Sequence, residues 1–174
     1  MAITRIVKIP EGVTVTLEGS TLSVKGPKGT LSRDMYFPKI TMTVAARELT
    51  ITTESERKNL LAMVGTYAAH VRNMCRGVTD GYQYRMKVVY SHFPIQLKMA
   101  GSTLEVHNFL GEKTTRYARV EPGVKVALGS DEVTLTGTDR ELVGKTAANI
   151  EHATKIRDRD PRVFQDGVYI VERA

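Results

Sequence analysis

The amino-acid sequence repeats itself, and an internal repeat restricts the fold to copies of one module. Gly19-Ser20-Thr21-Leu22 returns as Gly101-Ser102-Thr103-Leu104, and Val24 returns as Val106, at an offset of 82 residues. Glu48-Leu49-Thr50-Ile51-Thr52 is echoed by Glu132-Val133-Thr134-Leu135-Thr136 at 84. Thr53-x-x-Glu56 is echoed by Thr138-x-x-Glu141 at 85, and Asp80-Gly81-Tyr82 by Asp166-Gly167-Val168-Tyr169 at 86. Chance accounts for one such match; collinear matches with a slowly growing offset imply duplication followed by small loop insertions.

Each copy carries the same pattern. Val13, Val15 and Leu17 alternate with polar residues, as do Ile40, Met42 and Val44. Ile95, Leu97 and Met99, then Val124, Val126 and Leu128, do the same in the second half. A period of two puts one strand face on a core and the other toward water. Gly19 and Gly101 mark tight turns that need positive φ. A helix follows, with Thr53/Glu56 and Thr138/Glu141 as expected capping boxes. Leu60, Leu61, Val64, Tyr67, Ala68 and Val71 share one helical face, as do Leu142, Val143, Ala147, Ile150 and Ala153. Gly77 is the expected stop of the first helix. The predicted fold is α+β: two tandem homologous domains, residues 1–82 and 83–174, each a small, mostly antiparallel β-sheet unit packed against one α-helix. The join is expected near residues 83–92, which lack a Gly/Ser/Pro-rich linker.

Length and composition fit this reading. A chain of 174 residues with 41% hydrophobic side chains accommodates two small cores. No apolar run approaches a bilayer span, and the start, Met1 to Lys8, lacks the apolar stretch of a secretory signal. The single cysteine, Cys75, excludes an intramolecular disulfide and reads as a small hydrophobe on a helix. The formal net charge of +6 suits a polyanionic partner.

Enzymatic motifs are missing. His70, His92, His107 and His152 have no metal-binding or catalytic spacing, and one cysteine cannot supply a zinc site. There is no phosphate-cradling loop, dinucleotide fingerprint or nucleophile elbow. Lys25-Gly26-Pro27-Lys28-Gly29-Thr30 superficially resembles a phosphate loop, but a strand pattern follows it instead of a helix. Two readings stand for Lys25 and Lys28: an exposed β-turn only, or a turn that also touches backbone phosphate. No catalytic residue, metal site or cofactor is expected.

The charges are unevenly spread. Residues 1–85 hold 12 basic and 7 acidic side chains, and residues 86–174 hold 13 and 12. The densest basic cluster nevertheless lies in the second half: Lys155, Arg157, Arg159 and Arg162, interrupted by Asp158 and Asp160, with Arg173 after the last strand. Arginine's planar fork suits phosphate oxygens. A self-neutralised polar loop is the other reading, because mixed-charge runs are often simply solvated. Lys113, Arg116 and Arg119 form a second group. Arg116 and Arg119 differ in parity and cannot both face one side of a strand. Most of Tyr36, Phe37, Tyr82, Tyr84, Phe93, Phe109, Tyr117, Phe164 and Tyr169 read as core, not as a base-stacking platform.

Several longer stretches carry a family resemblance. Ile9-Pro10-Glu11-Gly12-Val13-x-Val15 opens the chain, and Val24-Lys25-Gly26-Pro27-Lys28-Gly29-Thr30-Leu31 forms the first hairpin. Asn73-Met74-x-x-Gly77-Val78-Thr79-x-Gly81-Tyr82 ends the first helix. Arg159-x-x-Arg162-x-Phe164-x-Asp166-Gly167-Val168-Tyr169-Ile170-x-x-Arg173 closes the chain. Together they resemble the universal large-subunit ribosomal protein L6 family in its archaeal and eukaryotic form, across essentially the whole chain. One departure is His152, where that signature usually has glutamine.

The resemblance implies a structural, non-catalytic protein of the cytoplasmic ribosome. Its expected partners are large-subunit rRNA near the sarcin–ricin loop and stalk base, and neighbouring ribosomal proteins, with translational GTPases docking nearby. No membrane or small-molecule substrate is implied. It points to the C-terminal domain as the main rRNA anchor, through Arg159, Arg162 and Arg173; the charge reading adds Lys155 and Arg157. The competing hypothesis is a tandem protein-interaction module outside the ribosome, with an enzyme of unfamiliar type the weakest.

Overall fold

The computed structural model describes residues 3–45 and 47–173; the readings that touch Met1, Ala2, Ala46 and Ala174 lie outside it. In chain order the first elements are β1 (Ile3–Lys8), β2 (Thr14–Glu18), β3 (Thr21–Gly26), β4 (Gly29–Asp34), β5 (Ile40–Ala45), β6 (Glu48–Thr53) and α1 (Lys58–Thr79). The second set is β7 (Tyr82–Val89), β8 (Gln96–Ala100), β9 (Thr103–His107), β10 (Arg116–Arg119), β11 (Lys125–Leu128), β12 (Glu132–Gly137), α2 (Arg140–Ala153) and β13 (Gly167–Arg173). They form two compact units, one ending at Gly81 and one beginning at Tyr82. All strand pairs are antiparallel, and the architecture is α+β.

The first unit has two three-stranded sheets, ordered β1-β6-β5 and β2-β3-β4. Alternation buries Leu22 and Val24 of β3 and Leu49 and Ile51 of β6, and α1 covers them with Val64, Tyr67, Ala68 and Val71. Each Leu, Ile or Val among them contributes roughly 1.5–3 kcal/mol when fully withdrawn from water. Cys75 is a buried member of this core. Burial also pushes its thiol pKa up, so it carries little thiolate.

The second unit repeats the plan with sheets ordered β10-β9-β8 and β11-β12-β7-β13. Val143, Ala147 and Ile150 of α2 meet Leu104, Val106, Val133 and Leu135. Among the described residues β13 has no counterpart in the first unit, and it doubles the pairing of β7. Residues 83–92, expected to join the modules, therefore open with the strand at the centre of this sheet.

Gly19 and Gly101 sit at φ +63° and +61°, with open space where a Cβ would stand. They are needed for backbone conformation alone. Three expectations about helix ends are corrected. Thr53 is the buried last residue of β6, paired with Ile3 and Ile40. It lies too early to cap α1, whose N-cap is Arg57 without a side-chain cap bond. At α2 the cap is Asp139, not Thr138: the Glu141 backbone N–H donates to Asp139 Oδ1 at 2.8 Å, the stronger capping chemistry at a better-placed position. Gly77 is buried inside α1. The helix stops later, where Arg76 O accepts from both Asp80 N and Gly81 N and Gly81 turns to φ +74°.

Candidate nucleic-acid interface

Between α2 and β13 runs a segment of 13 residues, 154–166, without regular secondary structure. Loops this long in compact domains are usually functional. It carries Lys155, Arg157, Arg159 and Arg162, all solvent-exposed.

Both ends of the loop are fastened. At its start, buried Thr154 donates from Oγ1 to Ile150 O at 3.2 Å and accepts from Val168 N at 3.1 Å, tying the helix end to β13. At its finish, Tyr169 Oη donates to Gln165 O at 3.2 Å and Asp166 O at 3.4 Å. Gly167 lets that ring lie flat, since a Cβ there would stand 3.0 Å from it. In the middle, Asp160-Pro161 initiates a turn: Asp160 O accepts from Val163 N at 3.1 Å and Phe164 N at 3.0 Å. Asp160 Oδ1 also accepts from Arg162 N at 2.9 Å.

These turns decide what each arginine does. Arg162 forks onto Asp160 at 2.9–3.3 Å. That hydrogen bond holds the Asp160 carboxyl below the usual carboxylate range and pushes the guanidinium up. The Arg162 side chain stays 88% exposed, and an exposed pair of this kind is easily exchanged for another anion. Arg159 lies over the Phe164 ring at 4.9 Å, and Phe164 packs against the core, so this guanidinium has a fixed seat. The self-neutralised reading therefore holds for one arginine of the loop and is incomplete.

Strand β10 separates the second group. Arg116 pairs with Val106, and Ala118 with Leu104, so both face inward; Tyr117 and Arg119 face outward. Arg119 is exposed, and its carbonyl accepts from Asn149 Nδ2 at 3.0 Å. Lys113 is exposed in the preceding connection. Arg116 is committed inside the unit. Its Nε and Nη2 donate to Glu112 at 2.9 and 2.7 Å, and its Nη1 donates to Ala153 O at 3.1 Å and Lys155 O at 2.9 Å. The Phe109 ring supports it at 4.2 Å. The guanidinium's hydrogen bond holds the Glu112 carboxyl below its ordinary range, with Arg159 adding to the effect.

An open cleft lies between β10 and the end of α2, lined by Thr114, Arg116, Tyr117, His152 and Arg157, with Glu112 and Ala153. Sequence reasoning passed over Glu112 and Tyr117 as lining residues, and singled out His152 only as a departure from the family signature. The signal for Tyr117 was its parity opposite Arg116. It is 64% exposed, and Tyr36, Phe93 and Tyr169 are also exposed, while Phe37 and Phe164 are partly buried against the cores. Tyr82, Tyr84 and Phe109 are buried as expected.

The remaining predicted residues lie elsewhere. Arg173 is exposed at the end of β13, after a bulge between Ile170 and Glu172 that puts Arg173 opposite Tyr84. Lys25 is exposed on β3. Lys28 sits in the β3–β4 turn, where its Nζ donates to Asp80 O at the end of α1. Among the described residues no group of His, Cys, Asp and Glu is arranged to hold a metal, and no helix is long and apolar enough to cross a membrane.

Comparison with known proteins follows the same division into repeats. The family model described as Ribosomal protein L6 matches residues 9–81 and 93–167. The chain is 62% identical over 174 residues to the large ribosomal subunit protein uL6 of Methanospirillum hungatei, covering 100% of the chain and 99% of the relative. It is 50% identical over 171 residues to that of Methanothrix thermoacetophila, covering 98% and 97%. With that of Methanosarcina mazei it shares 47% over 172 residues, covering 99% and 98%.

Proposed function

Since the chain belongs to the ribosomal protein L6 family, we propose that its second unit anchors it to large-subunit rRNA through the 154–166 loop. The protein is a structural constituent of the large ribosomal subunit and not an enzyme. Its partners are rRNA and neighbouring ribosomal proteins. The finer reading puts it near the sarcin–ricin loop and stalk base of the cytoplasmic ribosome, supporting the region where translational GTPases dock.

The observation that carries the proposal is a basic loop fastened at both ends. Lys155, Arg157, Arg159 and Arg162 project from it, and the same unit also exposes Lys113 and Arg119. Fixed cations engage phosphates without paying again for ordering, and those within a Debye length of roughly 8–10 Å act together. Arg173 and Lys25 are proposed as peripheral contacts.

The test is a titration against a large-subunit rRNA fragment at several salt concentrations. Each phosphate neutralised steepens log K against log salt by about 0.9 on duplex. Replacing Arg159 and Arg162 by alanine is expected to weaken binding and flatten the slope by up to about two such increments. Binding indifferent to salt, or recovery of the chain away from large subunits, would favour a protein-interaction module instead.

A further inference from the structure

We propose that Arg116 is a positioning residue that locks the basic loop for RNA and does not itself touch RNA. The inference rests on the RNA-binding reading above and changes the role of one of its residues.

The argument starts from register. Val24 pairs with Leu31 in the first unit, and Val106 pairs with Arg116 in the second. The duplication thus puts an arginine where its counterpart is a partly buried leucine of the core. An inward-facing guanidinium survives only if its N–H groups are satisfied. Here Glu112 takes the Nε–Nη2 edge and the carbonyls of Ala153 and Lys155 take Nη1. A phosphate reads arginine through such an edge, and this edge is filled by a carboxylate.

What Arg116 binds is also informative. The last carbonyls of a helix have no intrahelical partner. Ala153 O ends α2, and Lys155 O opens the basic loop. One planar group therefore spans the hinge between them, at the point where the chain first leaves the helix.

The support beneath is built at a cost. Asn108, Leu110 and Gly111 take φ values of +58°, +51° and +75°. For Leu110 this is a strained conformation, and such strain persists where the surroundings over-determine it. The contortion drives Phe109 to 0% exposure and brings its ring under the guanidinium. It also delivers Glu112, whose N–H bonds Phe109 O at 2.9 Å.

The two roles for Arg116 predict opposite signs for Glu112→Gln. If Arg116 contacts phosphate, removing the competing carboxylate tightens RNA binding. If Arg116 is a clamp, the same change loosens the loop and weakens binding, by roughly three- to tenfold for the added ordering on association. Arg116→Lys keeps the charge but not the fork, and is expected to weaken binding similarly. Its log K against log salt slope should stay at the wild-type value, while Arg157→Ala flattens the slope by about 0.9.

The experiment measures RNA affinity of the full chain against salt for wild type, Glu112→Gln, Arg116→Lys and Arg157→Ala, below each variant's unfolding transition. Hydrogen exchange without RNA is recorded alongside. The clamp predicts faster exchange at Val163 and Phe164 in the first two variants, with amides of the β7-centred sheet unchanged. Tighter binding by Glu112→Gln, a flattened slope for Arg116→Lys, or unchanged exchange in both overturns it. If wild type fails to bind rRNA, the function proposed above falls, and the exchange arm still decides whether Arg116 holds the loop.

Discussion

In the first unit the β3–β4 connection is the two-residue turn Pro27-Lys28, and Lys28 reaches the C-terminal end of α1 through Asp80 O, with its backbone N–H on Val78 O at 2.9 Å. In the second unit the corresponding β9–β10 connection spans residues 108–115, and Arg116 at its end reaches the C-terminal end of α2. Both repeats thus bring a cation to the negative end of the helix dipole. The chain then differs. After α1 it turns at Gly81 directly into β7; after α2 it enters the basic loop. The tight turn is seated by a single-point lysine contact and its own backbone bond, whereas the long loop is held by a multidentate guanidinium. The first unit has a plain hairpin here, and the second has a longer connection that supports the loop proposed as the interface.

The largest test of that contrast is Phe109→Ala. The ring is wholly buried and lies under Arg116, so the expected loss is about 3–5 kcal/mol, read as a shifted urea midpoint. A loss below about 1 kcal/mol, closer to a surface change, breaks the claim that the strained 108–111 segment is held by burial of this ring. Gly26→Ala asks the corresponding question of the first unit. A Cβ there would stand 2.6 Å from Val78 Cγ2 and 2.9 Å from Val78 O, and overpacking of this kind costs about 1–3 kcal/mol. A neutral result would mean that the first hairpin is not seated on α1 by close packing.

Acid separates the two attachments next. Glu112 has a folded-state pKa below its unfolded value. Its contribution is therefore fully present above the ordinary carboxylate pKa of about 4.3, and is lost as pH falls through the lowered folded value. Amide shifts of Ala153 and Lys155 are expected to move as pH falls below the ordinary carboxylate range, while that of Lys28 in the first hairpin turn, which uses no carboxylate, lags behind. The hydrogen bond from Arg162 likewise holds the Asp160 carboxyl below its ordinary range. Glu112→Gln distinguishes them: it should abolish the Ala153 response and leave that of Phe164, whose N–H bonds Asp160 O. A wild-type response at Ala153 in that variant rules Glu112 out as its cause.

The duplication, the alternating strands and the helix faces were all legible because period and repetition are properties of the chain itself. Helix ends were less so. Thr53 and Glu56 have the spacing of a capping box, but strand pairing claims Thr53 first, and Asp139 outcompetes Thr138 by chemistry that a pattern match ignores. At the interface, the cluster from Lys155 to Arg162 was visible as charge density, and strand parity separated Arg116 from Arg119. Parity could not say which of the two faced inward. That depended on the pairing of Arg116 with Val106, and on Glu112 and two distant carbonyls being there to receive it. Tyr117 was passed over because aromatic residues were assigned to cores by type, whereas its neighbour's inward orientation required it to face water.

The smallest effect is expected for Lys28→Met. The substitution removes one cation from the end of α1, which is worth about 0.3–1 kcal/mol at an exposed helix terminus. The Lys28 backbone N–H still bonds Val78 O, and Gly26 still lies against Val78, so the hairpin has reasons to stay docked that do not involve charge. The same variant asks whether this lysine also meets phosphate. Occupied by Asp80 O, its ammonium has donors to spare, and a contact would appear as a salt slope lowered by about 0.9. An unchanged slope with a small stability loss confines Lys28 to its own unit and leaves RNA contact to the second. A stability loss above about 2 kcal/mol exceeds any single exposed dipole contact; it would make the lysine as integral to α1 as Arg116 is to the loop, and the contrast between the repeats would fail.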